Sequence, residues 1–213
     1  MKITKYAHAC LLVEEDDARI IIDPGSWNEI PDAAGVNAIL ITHEHKDHFE
    51  KDQIHAILGK NPDAVVITHP AVAAMLEELG PKVLVIEEGG TLEVNGVSIQ
   101  SLGHEHAVIY DVVPCRNTGY LIAGKLFVPG DALHDVPNVP VEILALPTGG
   151  PWMKMGEAIA YAKAVSPKKA FPIHDAMLTD EYKRGFIPMI MNRFLEGSGV
   201  EFVDLPEGGT LAA

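Results

Sequence analysis

The segment Ala38-Ile39-Leu40-Ile41-Thr42-His43-Glu44-His45-Lys46-Asp47-His48 places four candidate metal ligands within six residues, directly after an apolar run. Crowding imidazole and carboxylate groups together costs free energy unless a cation holds them. The apolar run predicts a buried strand, so residues 42–48 (the histidine loop) would lie at its carboxyl end, where α/β folds place their chemistry. The segment therefore predicts a metal centre rather than a set of solvated polar residues.

The spacing within the histidine loop suits two metal ions. Side chains alternate along an extended segment, so His43, His45 and Asp47 can project to one side. His48 then points elsewhere, toward a neighbouring position. We therefore expect a binuclear centre, which needs further ligands from other parts of the chain.

The composition is that of an acidic globular protein. With 213 residues and 47% hydrophobic content, residues 1–213 are predicted to form a single domain. No stretch approaches the roughly 20 apolar residues of a membrane-spanning helix, so we expect no membrane association. The net charge of −14 and the lack of a basic run disfavour long nucleic acids as partners, although bound divalent cations would reverse the sign locally.

The cysteine content and the start of the chain favour a cytoplasmic protein. Cys10 and Cys115 are too few for a disulfide scaffold. Residues 1–6 are too short and polar for a signal peptide and predict a first strand. The sequence leaves the oligomeric state open.

The order of apolar runs and turns predicts an α+β fold, an αββα sandwich of two packed mixed β-sheets flanked by outer helices. Asn95-Gly96 predicts a tight hairpin between two strands. Helices are expected at about residues 51–59, 70–79, 151–165 and 179–195. Strands are expected at about residues 2–6, 10–14, 19–23, 38–41, 64–67, 83–86, 91–94, 97–102, 119–123, 125–128, 143–146, 169–172 and 201–203.

Further candidate ligands follow later predicted strands. They are His104 and His106, then Asp131, then His174. Alone, Asp131 would be read as a turn residue and His174 as an ordinary strand-end histidine. Strand ends that converge on one edge would bring these side chains to the histidine loop.

Together these motifs resemble the metallo-β-lactamase fold superfamily over nearly the whole chain. The resemblance rests on His-x-His-x-Asp-His, a later histidine, a Gly-Asp after a strand and a histidine after a late strand. Shorter motifs are similar to the compact branch that includes L-ascorbate-6-phosphate lactonase-like proteins. These motifs are His8-Ala9, Ile22-Asp23-Pro24, Asn117-x-Gly119-Tyr120, Leu146-Pro147 and Pro151-Trp152.

The resemblance implies a first metal held by His43, His45 and one histidine of the 104–106 pair. The branch favours His106, because its ligand directly precedes Ala-Val-Ile, as it does here. His104 would then lie beside the site or in solvent.

The resemblance also implies a second metal, held by Asp47, His48 and His174, with Asp131 bridging the two metals. Zn²⁺ is the first expectation because imidazole ligands dominate, and Mn²⁺ or Fe²⁺ also suits the two carboxylates. Asp47 would act as a metal ligand and could also orient the water that attacks the substrate.

Several residues near these motifs are candidates for supporting roles. His8 and His134 could line the cleft or serve only as structural or surface groups. Asp23 could orient a ligand histidine through its free ring nitrogen or simply form the turn before Pro24. Trp152 is predicted to be a packing residue.

These ligands predict a metal-dependent hydrolase in which a metal-bridging hydroxide attacks the substrate. The absence of a Gly-x-Ser-x-Gly motif agrees with a mechanism without a serine nucleophile. The branch resemblance favours a lactone or other small-molecule ester as substrate. A phosphodiesterase acting on a small nucleotide is the enzymatic alternative, and a non-catalytic metal-binding or sensing protein is the alternative of another class.

Overall fold

The first of two β-sheets is built mainly from the N-terminal half. The structure is a computed structural model that describes residues 1–30 and 33–212. The strands of this sheet are β1 (Lys2–Lys5), β2 (Leu11–Glu15), β3 (Ala18–Ile22), β4 (Ala38–Leu40), β5 (Val65–Thr68), β6 (Val83–Val85) and β14 (Thr210–Ala212). They lie in the order β14-β1-β2-β3-β4-β5-β6. Pairing is antiparallel from β14 to β3 and parallel from β3 to β6, so the sheet is mixed.

The second sheet repeats this layout with the C-terminal half. Its strands are β7 (Thr91–Val94), β8 (Val97–Leu102), β9 (Gly119–Ile122), β10 (Leu126–Val128), β11 (Ile143–Pro147), β12 (Lys169–Ile173) and β13 (Glu201–Phe202). They lie in the order β13-β12-β11-β10-β9-β8-β7. Strands β7 to β10 pair antiparallel, as the Asn95-Gly96 hairpin predicts, and β10 to β13 pair parallel.

Within residues 1–30 and 33–212, four α-helices cover the outer faces of the sheets. They are α1 (Lys51–Lys60), α2 (Pro70–Ala74), α3 (Met155–Val165) and α4 (Ile187–Leu195). A 3₁₀ segment covers Glu77–Lys82, and a π-helical turn covers Tyr182–Phe186. Among the described residues, no helix has the length and apolar character needed to cross a bilayer.

Alternation along the strands creates three buried layers. In β3, Ile20 and Ile22 face the core between the sheets, while Ile21 faces the helices of its own half. Successive residues of a strand point to opposite faces of the sheet, and both are buried because each sheet is covered on both sides. A third cluster packs Leu144 and Leu146 of β11 against α3 and α4. The α+β prediction, an αββα sandwich of two mixed sheets with outer helices, is therefore confirmed.

Some predicted element ends differ from the structure. The third helix begins at Met155 rather than Pro151, because the Glu157 side chain accepts a 2.7 Å hydrogen bond from the Lys154 amide and caps the helix there. The second helix stops at Ala74 rather than near residue 79, and the chain continues through Met75 and Leu76 into the 3₁₀ segment. The last helix starts with a π-helical turn, and strand β14 was not predicted.

The fold brings the carboxyl ends of four strands to one edge of the molecule. The histidine loop follows β4 in the first sheet. His106, Asp131 and His174 follow β8, β10 and β12 in the second sheet. The edge where the two sheets meet therefore collects the predicted ligands.

Candidate metal centre

Two groups of potential ligands lie side by side at this edge. In each group, one atom from every member lies within 4.8 Å of the others. The first group is His43, His45, His106 and Asp131, and the second is His8, Asp47, His48 and His174. This grouping matches the partition that the family resemblance implies, with His8 as an addition.

Asp131 lies between the two groups. Its Oδ2 atom is 3.2 Å from Nε2 of His106 and 2.9 Å from Nε2 of His174. Its Oδ1 atom is 3.2 Å from Nε2 of His48. Because its two oxygens face ligands of both groups, Asp131 occupies the position expected of a bridging carboxylate.

A glycine turn holds Asp131 in this position. Gly130 adopts φ +65°, and a Cβ there would lie 2.2 Å from Oδ1 of Asn117. That oxygen accepts a 3.0 Å hydrogen bond from the Asp131 amide, while the Asn117 amide group donates to the Pro129 carbonyl. The Asn117 motif thus orders the turn that carries the carboxylate.

Asp23 orients two histidines of the histidine loop. Its buried carboxylate accepts hydrogen bonds from Nδ1 of His48 (2.8 Å) and from the Thr42 hydroxyl (2.7 Å). Because that hydroxyl gives its hydrogen to Asp23, its oxygen is free to accept from Nδ1 of His43 at 3.0 Å. Both histidines then carry their hydrogen on Nδ1 and present Nε2 to the centre.

Backbone carbonyls orient His106 and His174 in the same way. Nδ1 of His106 donates to the Ala107 carbonyl at 2.6 Å, and Nδ1 of His174 donates to the Gly149 carbonyl. His174 also adopts φ +56°, which is uncommon for a non-glycine residue and typical of functional sites. Both rings again turn Nε2 toward the centre.

The residues fit a pair of divalent cations. Nε2 of His48, His106 and His174 lie 2.9–3.2 Å from the Asp131 oxygens, but these contacts do not have hydrogen-bond geometry. The three nitrogens and Oδ1 of Asp131 are therefore buried without a hydrogen-bond partner among the described residues. Buried polar atoms are normally paired, so several unpaired lone pairs facing one point indicate a bound cation. Imidazole nitrogens and carboxylate oxygens are suitable ligands for zinc, manganese or iron.

Two members of the groups are reachable from solvent. His45 is exposed, and its Nδ1 atom lies 3.1 Å from Nε2 of His43. The Asp47 side chain is partly exposed. The centre is therefore buried on the side of the other ligands and open to solvent on the side of His45 and Asp47.

His8 differs from the other histidines in its hydrogen bonding. The Ala176 amide donates to its Nδ1 atom at 3.3 Å, so the ring hydrogen sits on Nε2 and is donated to Oδ2 of Asp47 at 3.0 Å. Neither ring nitrogen is then available to a metal. Burial lowers the pKa of His8 to about 4, so the ring is neutral at pH 7. Of the two roles expected for His8, the geometry supports contact with the site, as the residue that orients Asp47.

Charge within the centre keeps its carboxylates ionised but shifts the histidines in opposite directions. Burial opposes protonation of His48 and His106, yet the Asp131 carboxylate outweighs it and raises the pKa of both rings above the ordinary value. Burial lowers the pKa of His43 well below its ordinary value. Burial opposes ionisation of Asp131, but the positive potential of His48 and His174 outweighs it and holds the pKa of the carboxyl well below its usual range. Burial likewise opposes ionisation of Asp47, yet the hydrogen bond from His8 lowers its pKa to about 2. Both carboxylates are therefore ionised at neutral pH.

Two predicted neighbours lie outside the centre. His104 is 59% exposed and its Nδ1 atom lies 3.0 Å from Glu88. His134 is 52% exposed and lies 3.5 Å from the Asp135 carboxylate. Neither belongs to the two ligand groups, so the geometry favours His106 over His104 as the ligand of that pair.

Two residues at the centre were not anticipated in their roles. Trp152 was predicted only to pack, but its ring centroid lies 5.9 Å from that of His106 and 5.4 Å from that of His174. Lys5 is buried, and its Nζ atom lies 2.5 Å from Oδ2 of Asp175, the residue after His174. The Pro151-Trp152 motif was a signal for the tryptophan, whereas nothing local marks Lys5.

The sequence is similar to a known family and to individual proteins. The family model described as a beta-lactamase superfamily domain matches residues 2–174. Protein Rv0786c of Mycobacterium tuberculosis is 36% identical over 214 residues, which cover 97% of each chain. The UPF0173 metal-dependent hydrolase MJ1163 of Methanocaldococcus jannaschii is 28% identical over 189 residues, which cover 81% of this chain and 83% of the relative.

The fold is also similar to solved structures. Igni18, a novel metallo hydrolase from the hyperthermophilic archaeon Ignicoccus hospitalis, superposes with a TM-score of 0.77 at 20% identity. The match covers 99% of this chain and 97% of Igni18. At this identity the likeness shows a shared fold.

Proposed function

This chain belongs to the family of beta-lactamase superfamily domains, and from that membership we propose that it is a metal-dependent hydrolase. The observation that carries the proposal is the pair of ligand groups around Asp131, with unpaired Nε2 atoms directed at the centre. The relative from Methanocaldococcus jannaschii is named a metal-dependent hydrolase, which agrees with this proposal.

His43, His45 and His106 would hold the first cation. Asp47, His48 and His174 would hold the second, and Asp131 would contact both. Bound divalent cations supply Lewis acidity and lower the pKa of water toward neutrality. Zn²⁺ is the first choice for this donor set, with Mn²⁺ and Fe²⁺ as alternatives.

Asp47 is the residue that we expect to act in catalysis. Its Oδ2 atom accepts the hydrogen bond from Nε2 of His8, which fixes the plane of the carboxylate. The same Oδ2 atom lies 3.8 Å from Nε2 of His48 and 3.7 Å from Nε2 of His174, so it faces the second ligand group. The partial exposure of Asp47 places its carboxylate on the open side of the centre, where it would also orient an attacking water.

The open side also favours an enzyme over a metal-sensing protein. Structural metal sites are closed by protein ligands, whereas catalytic sites keep a position for water or substrate. Here His45 is exposed and Asp47 is partly exposed.

A lactone or another ester of a small molecule is the substrate class that we propose. The loop between His106 and Cys115 exposes apolar side chains, with Tyr110 83% and Val113 93% accessible. Its two ends meet at the centre, where the His106 amide donates to the Cys115 carbonyl at 3.1 Å. An apolar surface beside the centre suits a neutral ester better than a charged phosphodiester.

The test compares metal content and hydrolysis in matched variants. Purified protein is loaded with Zn²⁺ or Mn²⁺, and metal is measured by mass spectrometry. A panel of lactones, esters, phosphodiesters and β-lactams is then assayed. His43→Ala/His45→Ala should lose the metal of the first site and reduce hydrolysis at least roughly 100-fold. The exposed pair His104→Ala/His134→Ala is the control and should behave like the wild type.

Three outcomes would count against parts of the proposal. Full metal content and activity in His43→Ala/His45→Ala would refute the metal-dependent hydrolase. Hydrolysis confined to phosphodiesters would refute the ester substrate. Tight metal binding without hydrolysis of any panel member would support the sensing protein instead.

A further inference from the structure

The indole of Trp152 carries an unexplained polar hydrogen beside the metal centre. Its side chain is only 9% exposed, and Nε1 is buried without a hydrogen-bond partner among the described residues. Buried indole N–H groups usually find an acceptor. The indole N–H is therefore available to donate a hydrogen bond to a bound molecule.

The position of the ring relates it to both ligand groups. It contacts His106 of the first group and His174 of the second edge-on, with interplanar angles of 74° and 73°. Trp152 thus borders the centre on the side of the loop that follows β11. A molecule bound at the centre would lie next to this ring.

A glycine packs closely against the nitrogen side of the indole. A Cβ at Gly150 would lie 2.9 Å from Nε1 and 3.0 Å from Cε2 of Trp152, and 3.4 Å from Cε1 of His174. The backbone of Gly150 does not adopt a positive φ, so conformation does not require glycine there. Close packing requires glycine there instead, because a side chain would collide with the indole of Trp152 and crowd the His174 ring.

We propose that the N–H of Trp152 donates a hydrogen bond to an oxygen of the substrate bound at the metal centre. An indole nitrogen can only donate, so its partner must carry an acceptor lone pair. In an ester or lactone, the acceptor is the carbonyl oxygen, which gains negative charge when a nucleophile adds to the carbonyl carbon. A fixed donor at this oxygen stabilises the transition state more than the ground state.

This inference rests on the proposed hydrolase for the identity of the substrate, but its first test needs no turnover. The ¹⁵N–¹H spectrum of the Zn²⁺-loaded protein contains two indole signals, from Trp27 and Trp152, and Trp152→Phe identifies the second. Inorganic phosphate serves as the oxygen-bearing probe. Its addition should move the Trp152 indole proton downfield as the hydrogen bond forms.

Affinity for phosphate gives a second measurement. Trp152→Phe keeps an aromatic ring but removes the donor, and it should weaken phosphate binding about 10-fold by calorimetry. Gly150→Ala keeps the indole, but its methyl group would collide with the Nε1–Cε2 edge of the ring and displace the donor, so it should weaken binding similarly. Metal content and melting temperature are measured for each variant, so that misfolding and metal loss are recognised. Tyr182→Phe is the control, because it removes a polar hydrogen from an exposed aromatic ring outside the centre.

If an active substrate is found, Trp152→Phe should lower kcat roughly 10- to 100-fold with a smaller change in KM. An unmoved Trp152 indole signal in the presence of phosphate would overturn the inference. So would wild-type phosphate affinity in a folded, fully metal-loaded Trp152→Phe variant. A shifted indole signal without hydrolysis of any substrate would instead contradict the hydrolase and leave the indole donor supported.

Discussion

At the residue scale, the nitrogen that carries the hydrogen decides the role of each histidine. His48 and His174 donate from Nδ1 to protein acceptors, and their Nε2 atoms remain for a metal. His8 accepts at Nδ1 and donates from Nε2 to Asp47. The proximity of the candidate ligands could be predicted because each follows a strand in the sequence. The exchanged donor and acceptor nitrogens of His8 could not be predicted, because they depend on a hydrogen bond from the Ala176 amide, 168 residues away.

The first prediction concerns His8→Phe. Phenylalanine fills a similar volume but cannot hold Asp47, so we expect the second metal site to weaken about 10- to 100-fold while the first keeps its affinity. Competitive titration against a fluorescent chelator measures both affinities. His134→Phe, at an exposed position outside the centre, should leave both unchanged. Equal weakening of the two sites, or of neither, would contradict the orienting role of His8.

At the element scale, alternating burial determines the two sheets. Ion pairs then join strands and loops that lie far apart in the sequence. Strands and the hairpin could be predicted because apolar periodicity is local. Lys5 of β1 pairs with Asp175 after β12, and Glu15 of β2 pairs with Lys125 between β9 and β10. Each pair links the two sheets across more than a hundred residues of sequence. No periodicity in the chain signals such a contact.

The second prediction tests the Lys5 pair. Lys5→Met removes the partner of a buried carboxylate, so we expect the free energy of unfolding in urea to fall by about 3–5 kcal/mol. Replacing both members, in Lys5→Met/Asp175→Leu, removes the uncompensated charge and should restore most of that loss. A double variant no more stable than the single one would show that the ion pair is not the cause.

The third prediction concerns the pH dependence of the Glu15 pair. Burial opposes ionisation of Glu15, but hydrogen bonds from Lys125 and the terminal amine of Met1 outweigh it, so its pKa in the folded protein lies below the ordinary value of 4.5. The stabilisation is therefore present above about pH 4.5 and is lost as the pH falls through the lowered value. Glu15→Gln should cost about 1 kcal/mol at pH 7, a modest value because Lys125 is 40% exposed.

Urea unfolding of the wild type and Glu15→Gln from pH 3 to pH 7 measures this difference. The two proteins should converge toward pH 3. Lys168 and Glu142 form an exposed pair, so Glu142→Gln serves as a control with little effect at any pH. A Glu15→Gln deficit that is constant across the range would contradict the assigned pKa shift.

At the scale of the whole molecule, the candidate centre connects the two halves of the sandwich. The histidine loop and Asp23 come from the first sheet, and His106, Asp131 and His174 follow strands of the second. The sheets already share one apolar core, so they meet without a metal. The ligands nevertheless bring unpaired lone pairs and ionised carboxylates together at the shared edge. Bound cations would stabilise the folded chain by joining both sheets at that edge.

The fourth prediction is a large loss of thermal stability on metal removal. A ligand present at about 100 times its dissociation constant stabilises a fold by roughly 2.7 kcal/mol. For a chain of this size that corresponds to a drop in melting temperature of about 5–10 °C when a chelator strips the metal. His43→Ala/His45→Ala, with one weakened site, should show a smaller chelator effect from a lower starting temperature. Restoring Zn²⁺ to the stripped wild type should recover the original value. If calorimetry of the fully loaded and fully stripped wild type gives the same melting temperature, the two halves do not depend on cations at their shared edge, and the ligand groups then need another explanation.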